Sequence, residues 1–215
     1  MGSRFLALGA LAVALSCASV ADGAVSGALR YGACYEGAAT TTAGCTRVHG
    51  FVGLGKMAAD DSGANLYVTA RTALATGAAL AVFSRDQTTG ALTQLQCFSA
   101  PGNTEGCISI GASSTDSPMV GLDDVVVTHD GKNVYAVSVD KNSLAEWSRA
   151  TDGTLTYLGC VSSAGSLPAS GCSTAHGLGN AVAVTVDPGD SSVYVAGYAT
   201  SIVGALQRTV AGTLV

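Results

Sequence analysis

From residue 27 onward, apolar residues gather in short runs, and glycine-rich turns separate one run from the next. Between residues 124 and 160 this pattern predicts four strands, at 124–128, 133–139, 143–149 and 154–160. His129-Asp130-Gly131 joins the first two and Thr151-Asp152-Gly153 the last two. Asp-Gly between β-rich runs marks a hairpin, because glycine accepts the positive φ such turns need. Val, Thr, Ala and Tyr dominate the runs, and amphipathic helical spacing is hard to find, so the class is all-β.

The pattern repeats. Gly27-Ala28-Leu29 returns as Gly90-Ala91-Leu92, Gly153-Thr154-Leu155 and Gly212-Thr213-Leu214, in steps of 63, 63 and 59 residues. Cys34, Cys97 and Cys160 keep the 63-residue step. Tyr67, Tyr135 and Tyr194 recur inside similar tetrapeptides, and Arg85, Arg149 and Arg208 mark a third recurring place. The repeats run over 27–89, 90–152 and 153–211, with a new one starting at 212–215. Four antiparallel strands followed by a long loop make one β-propeller blade. A β-sandwich would not reproduce the same turn chemistry at this step.

Val125 to Tyr135 (VVVTHDGKNVY), followed by Ala145 to Leu158, resembles the YVTN-type repeats of the seven-bladed lactonase-like (6-phosphogluconolactonase-like) propeller superfamily. Val82 to Leu95 (VFSRDQTTGALTQL) does the same. The resemblance covers all of the chain after its leader and implies a propeller fold. It says less about activity, since one fold hosts many functions. The usual Ser-Pro-Asp-Gly turn is replaced by Asp61-Ser62-Gly63, His129-Asp130-Gly131 and Asp187-Pro188-Gly189. The calcium-dependent lactonases of the propeller class use a buried Glu with Asn and Asp. Glu36, Glu105 and Glu146 are the only glutamates, and none is expected at a channel position. Three blades are too few to close a ring of about 4–8, so the ring is expected to be incomplete. The sequence is read as a piece of a longer chain, the alternative being several chains that complete a ring together.

The first residues add a destination. Met1 to Arg4 carries one positive charge, Phe5 to Ser16 is apolar, and Ser19-Val20-Ala21 offers a signal-peptidase site, with Ala24 as a second. This order predicts a secretory signal peptide at 1–21 and a mature region at 22–215. Twelve apolar residues fall short of the ~20 that span a bilayer. Lipoprotein anchoring at Cys17 is the lesser alternative, since Ala14 stands where leucine is usual. With a net charge of −5 and no Lys/Arg cluster, the chain lacks the footprint of a nucleic-acid binder. No stable membrane span is expected.

Six cysteines follow Cys17, in three local pairs: Cys34–Cys45, Cys97–Cys107 and Cys160–Cys172. In an exported chain an even, repeating set reads as disulfides. The rival reading is metal, because His49 and His176 lie four residues after Cys45 and Cys172. A structural zinc wants four ligands. Each repeat offers at most three, and Gly111 stands where the middle repeat would need its histidine. No metal and no cofactor is expected.

In a propeller the first strand of each blade lines the channel. That places Gly55-Lys56, Asp123-Asp124 and Asn180-Ala181 at its rim, with His49 and His176 preceding the same strands. The catalytic candidates are therefore His49, His176, Lys56 and Asp124, a histidine acting as base and Lys56 steadying an oxyanion. Asp123 and Asn180 are the ligand-binding candidates. His129 is read as a turn residue, and Trp147, Phe83 and Leu206 as packing between blades. No Gly-x-Ser-x-Gly elbow, His-Glu-x-x-His or phosphate loop occurs. Two function classes remain. The first is a secreted scaffold that presents its loops to a small-molecule, glycan or protein ligand. The second is a metal-independent, lactonase-like hydrolase opening a sugar lactone. The scaffold is the expectation.

Overall fold

The computed structural model describes residues 32–37, 41–71, 79–163 and 169–215; the predicted leader and Cys17 lie outside them. Strands β1 (Tyr35–Glu36) and β2 (Thr46–Arg47) pair in parallel as a two-stranded sheet. The first full blade follows, in the order β3 (Leu54–Ala59), β4 (Asn65–Ala70), β5 (Ala79–Arg85), β6 (Leu92–Ser99) and β7 (Ile108–Ser109). The second is β8 (Leu122–Val127), β9 (Asn133–Ser138), β10 (Ser143–Arg149), β11 (Leu155–Ser163) and β12 (Ser173–Ala175). The third sheet has β13 (Ala181–Val186), β14 (Ser192–Gly197) and β15 (Ile202–Gln207). The protein is an all-β propeller chain, as its repeats predict.

Among the described residues, the long loop of each repeat contains a short strand that the sequence reading does not predict. After the antiparallel strands it adds a short parallel strand, β7 on β6 and β12 on β11. Disulfides Cys97–Cys107 and Cys160–Cys172 close these parallel ladders, and Cys34–Cys45 closes the β1–β2 pair. The cysteines are thus bonded as the repeat predicts and are not available as metal ligands. Their loops fit an oxidising, extracytoplasmic setting.

The core lies between blades rather than inside one. Tyr67, Leu80 and Phe98 of the first blade meet Leu122, Val134 and Trp147 of the second. Tyr135, Val137 and Leu144 then meet Leu178, Val193 and Leu206 of the third sheet. Trp147 is fully buried, its ring 6.0 Å from Phe98 and 5.7 Å from Tyr157. Phe83, at the same place one blade earlier, packs 5.6 Å from Phe51.

Arginines stitch these seams at one edge. Arg149 donates to the Tyr67 hydroxyl at 2.7 Å, to Asp60 at 2.6 Å and to Asn65 at 2.7 Å. One blade on, Arg208 donates to Asp130 at 3.0 Å and to Asn133 at 2.6 Å. Burial alone would raise the Asp60 carboxyl. The Asn65 amide, the Ser62 hydroxyl and the Arg149 charge outweigh it and hold the group below the ordinary carboxylate range.

Candidate functional site at the inner rim

The first strands β3, β8 and β13 lie side by side, β8 in the middle, and each carries an irregularity at the same place. The register shifts between Leu54 and Met57, between Leu122 and Asp124, and between Ala181 and Ala183. A bulge re-aims side chains and frees ladder groups for other partners. The bulge residues are Gly55-Lys56, Asp123 and Val182, inside the strands rather than ahead of them.

Lys56, Asp123 and Asp124 are brought together as expected. The Lys56 ammonium crosses to the third sheet and donates to the Val182 carbonyl at 2.7 Å. Asp123 Oδ2 and Asp124 Oδ2 each lie 3.7 Å from it. Those distances are ion pairs, not hydrogen bonds. An ammonium has three N–H donors, so two of them remain for a ligand oxygen. Arg71 adds a second cation, 3.1 Å from Asp123 Oδ1. The lysine side chain is half exposed while both carboxylates are mostly covered.

Asp124 is fixed from both sides, Oδ1 accepting from the Val125 amide and Oδ2 from the Val184 amide, each at 3.0 Å. A carboxylate bonded to two amides is well positioned, and its lone pairs are partly committed. Thr69, fully buried, ties the rim together. Its hydroxyl lies 3.0 Å from the carbonyls of both Lys56 and Asp123 and accepts the Lys56 N–H at 3.0 Å. A Cβ at Gly55 would come within 2.6 Å of that hydroxyl and 3.0 Å of the Asp123 carbonyl, so glycine lets the two bulges close on each other. Thr69 escaped the sequence reading. Its one signal is a hydroxyl two residues after the recurring tyrosine, where the other repeats have Val137 and Ala196.

The histidines do not join this group. His49 lies at the outer strand β6, where the Gln94 side chain clasps its backbone N–H at 2.9 Å and its carbonyl at 2.8 Å. Three ladder steps separate β6 from β3, roughly 14 Å at the usual strand spacing. His176 is placed likewise beside β15, its carbonyl 3.1 Å from where a Cβ on Gly204 would sit. Gly50, Gly111 and Gly177 share a positive φ of 79°, 100° and 86°. This turn pins the loop across the outer part of the sheet before the chain crosses to its inner edge. It also aligns the repeats differently, Ile110 rather than Gly111 standing where the others have histidine.

Asn180 is displaced too. With φ at 49° it is the left-handed residue that opens β13, matching Gly53 and Gly121, and its carbonyl accepts the Tyr198 N–H at 3.0 Å. Val182 and Ala183, not Asn180 and Ala181, match Asp123 and Asp124. The turns between first and second strands are equal in length, so Pro188 is no insertion.

At the opposite edge the structure shows a contact that the sequence hides. The Asp190 carboxylate accepts from His129 N at 2.8 Å, from Asp130 N at 2.7 Å and lies 2.9 Å from His129 Nδ1. Asp190 takes a φ of 56° where Gly63 and Gly131 stand in the other blades. The hydrogen bond to Asp190 raises the His129 pKa above its ordinary value. A cavity of about 350 Å³ borders this pair, lined by Asp60, Asp61, His129, Asp130 and Arg149 among others.

Among solved structures the chain is similar to a proposed 6-phosphogluconolactonase of Bacteroides fragilis, at 18% identity over 76% of this chain and 37% of that one, with a TM-score of 0.52. A protein of Lactobacillus plantarum is matched at 19% identity over 76% of this chain and 40% of that one, with a TM-score of 0.53. The periplasmic gluconolactonase of Pseudomonas aeruginosa gives 19%, 75%, 37% and 0.51. The chain thus has the lactonase-like β-propeller fold and spans well under half the length of the chains it matches. No protein-family profile matches it, and a search of curated proteins finds no match. Among the described residues, no helix is long and apolar enough to cross a membrane.

Proposed function

We propose that the protein is an exported, disulfide-stapled propeller that binds a hydroxyl- or carboxylate-bearing ligand, a sugar acid or glycan, at the rim around Lys56. The observation that carries this reading is the Lys56 ammonium. Three blades hold it in place, yet it is half exposed and keeps two donors for a ligand. Arg71 widens the donor surface. A general base must reach its proton within about 2.6–3.2 Å or through one water. With His49 beside β6 and His176 beside β15, both away from the first strands that carry Lys56 and Asp124, binding fits this geometry better than acid–base turnover.

A lactonase reading is favoured by the fold shared with a periplasmic gluconolactonase. Lys56 would then stabilise the oxyanion and Asp124 would activate water.

Calorimetry on the secreted chain with gluconate and 6-phosphogluconate, beside a glycan array, tests the first reading. Binding that weakens at least tenfold in Lys56→Met, with circular dichroism unchanged, supports it. No binding by the parent, or equal binding by the variant, overturns it. Hydrolysis of gluconolactone above its spontaneous rate, lost in Asp124→Asn, would replace it with the enzymatic reading. N-terminal sequencing of the secreted protein checks export, the expected start being residue 22.

A further inference from the structure

The seam between the first two full blades and the seam between the second and the third sheet match contact by contact. Arg149 Nη1 donates to the Gly131 carbonyl at 3.0 Å, and Arg208 Nη1 donates to the Asp190 carbonyl at 3.2 Å. Tyr67 donates to the Gly153 carbonyl at 3.0 Å, and Tyr135 to the Gly212 carbonyl at 2.7 Å. Gly131 therefore stands to the turn at Asp61-Ser62 as Asp190 stands to the turn at His129-Asp130.

In the second seam the Asp190 carboxylate caps two consecutive amides, His129 N at 2.8 Å and Asp130 N at 2.7 Å. Successive backbone N–H groups in a turn form a concave seat for an anion. The first seam has the seat without the carboxylate. The Asp61 and Ser62 amides have no acceptor among the described residues, and Gly131 has no side chain to offer. A Cβ on Gly131 would have Arg149 Nη1, at 3.4 Å, as its one neighbour within 4 Å. The space is the cavity of about 350 Å³ bordered by Asp61, Ser62, Gly131 and His129. Pockets for small ligands begin at about 300 Å³.

The charges decide whether an anion can enter. Three carboxylates line the cavity, but Asp60 lies 2.6 Å from Arg149 and Asp130 lies 3.0 Å from Arg208. Asp61 is left without an ion pair among the described residues, and His129 offsets it. The hydrogen bond to Asp190 raises the His129 pKa, outweighing desolvation, and the Asp61 charge adds to the rise. The ring spends Nδ1 on Asp190 and keeps Nε2 for an occupant.

We propose that the Asp61-Ser62 turn is a carboxylate-binding site for a small organic acid, which takes the place that Asp190 fills in the next seam. The two amides hold the carboxylate and the His129 imidazole supplies the countercharge. Asp190 is then a ligand that the chain carries for itself. The site lies at the opposite edge of the blades from Lys56 and does not rest on the reading given for the rim.

Acetate is the probe, followed by amide NMR of the secreted chain across the millimolar range, beside equal sodium chloride. The Asp61 and Ser62 resonances should move along a saturating curve in acetate and stay in place in chloride. Gly131→Asp should shift them without acetate and abolish the response, because the new carboxylate occupies the seat. Aspartate suits that backbone, since Asp190 itself has a φ of 56° against 67° at Gly131. Asp190→Gly should add a second acetate response, at His129 and Asp130. Asp61→Pro, for which Pro188 in the third repeat is the precedent, removes one donor. It should weaken the Ser62 response although it also removes a negative charge. Dispersed spectra show that each variant is folded. A parent whose Asp61 and Ser62 amides ignore acetate overturns the proposal. So does a curve that chloride reproduces, or one that neither Gly131→Asp nor Asp61→Pro alters. A response confined to His129 and Asp130 in Asp190→Gly overturns it for the first seam as well.

Discussion

Arg149 Nη2 and Asp60 Oδ2 meet at 2.6 Å across the seam between the first two full blades, with only 9% and 5% of their side chains exposed. Removing one partner of such a pair strands the other charge away from water, which costs about 3–5 kcal/mol. Arg149→Ala should therefore lower the melting temperature by roughly 6–20 °C in this size range. The contrast is Lys132, 3.7 Å from Asp130 and 75% exposed, whose replacement by alanine should change little. Scanning calorimetry of both variants checks the difference.

Glu146 makes stability depend on pH. It is buried against the second and third sheets, and burial raises its pKa to about 7, only partly offset by the Leu214 amide at 3.3 Å. Between the ordinary value of 4.5 and about 7, the folded chain holds a proton that the unfolded chain has released. Stability therefore falls as pH rises through that window, by about 3 kcal/mol in full. Denaturant melts at about pH 5 and about pH 8 should show the fall, and Glu146→Gln should flatten it. Equal slopes in both proteins would refute the assignment.

His129 acts in the same direction. Its pKa is raised above 6.5 by the bond to Asp190, so its contribution is complete below the unfolded value and is lost as pH rises through the folded one. An NMR titration of the ring should give a value above 6.5, returning toward it in Asp190→Gly. Glycine suits the left-handed backbone there, so that variant removes the carboxylate without adding strain.

Reduction should act on three sites separately. Each disulfide closes a loop of 10 to 12 residues. Such loops stabilise by roughly 2–3 kcal/mol in the chain-entropy model. Peptide mapping without reduction should recover the three local pairs. A Cys97→Ala/Cys107→Ala chain should melt lower, with its fold kept.

The fold was legible because its signals are local. A hairpin glycine, a strand run and a cysteine pair each read the same way in every repeat, and Gly131 and Gly153 have the positive φ their turns require. Lys56 and Asp123 were found because they lie on first strands that the repeat had already identified. The histidines were misplaced because sequence order alone does not say how far a chain travels across a sheet before a strand begins. Gly50 and Gly177 settle that, through a turn whose φ is invisible in the residue list. Asp190 was missed for the opposite reason. Its partner, His129, lies in another blade 61 residues away, and a carboxylate in a glycine's place looks like drift until the neighbouring turn is seen.

The disulfide beside each parallel ladder gives the passage between blades two covalent routes. Residues 98–106 run between Cys97 and Cys107, and the bond between those cysteines bypasses them. A protease that cuts inside this loop opens the peptide route and leaves the sulfur route intact. The nicked chain stays one molecule, with β6 of the first full blade still tied to the segment that leads into the second. In the oxidising, extracytoplasmic setting that the disulfides fit, where thiols are scarce, a cut at these crossings would not release a blade.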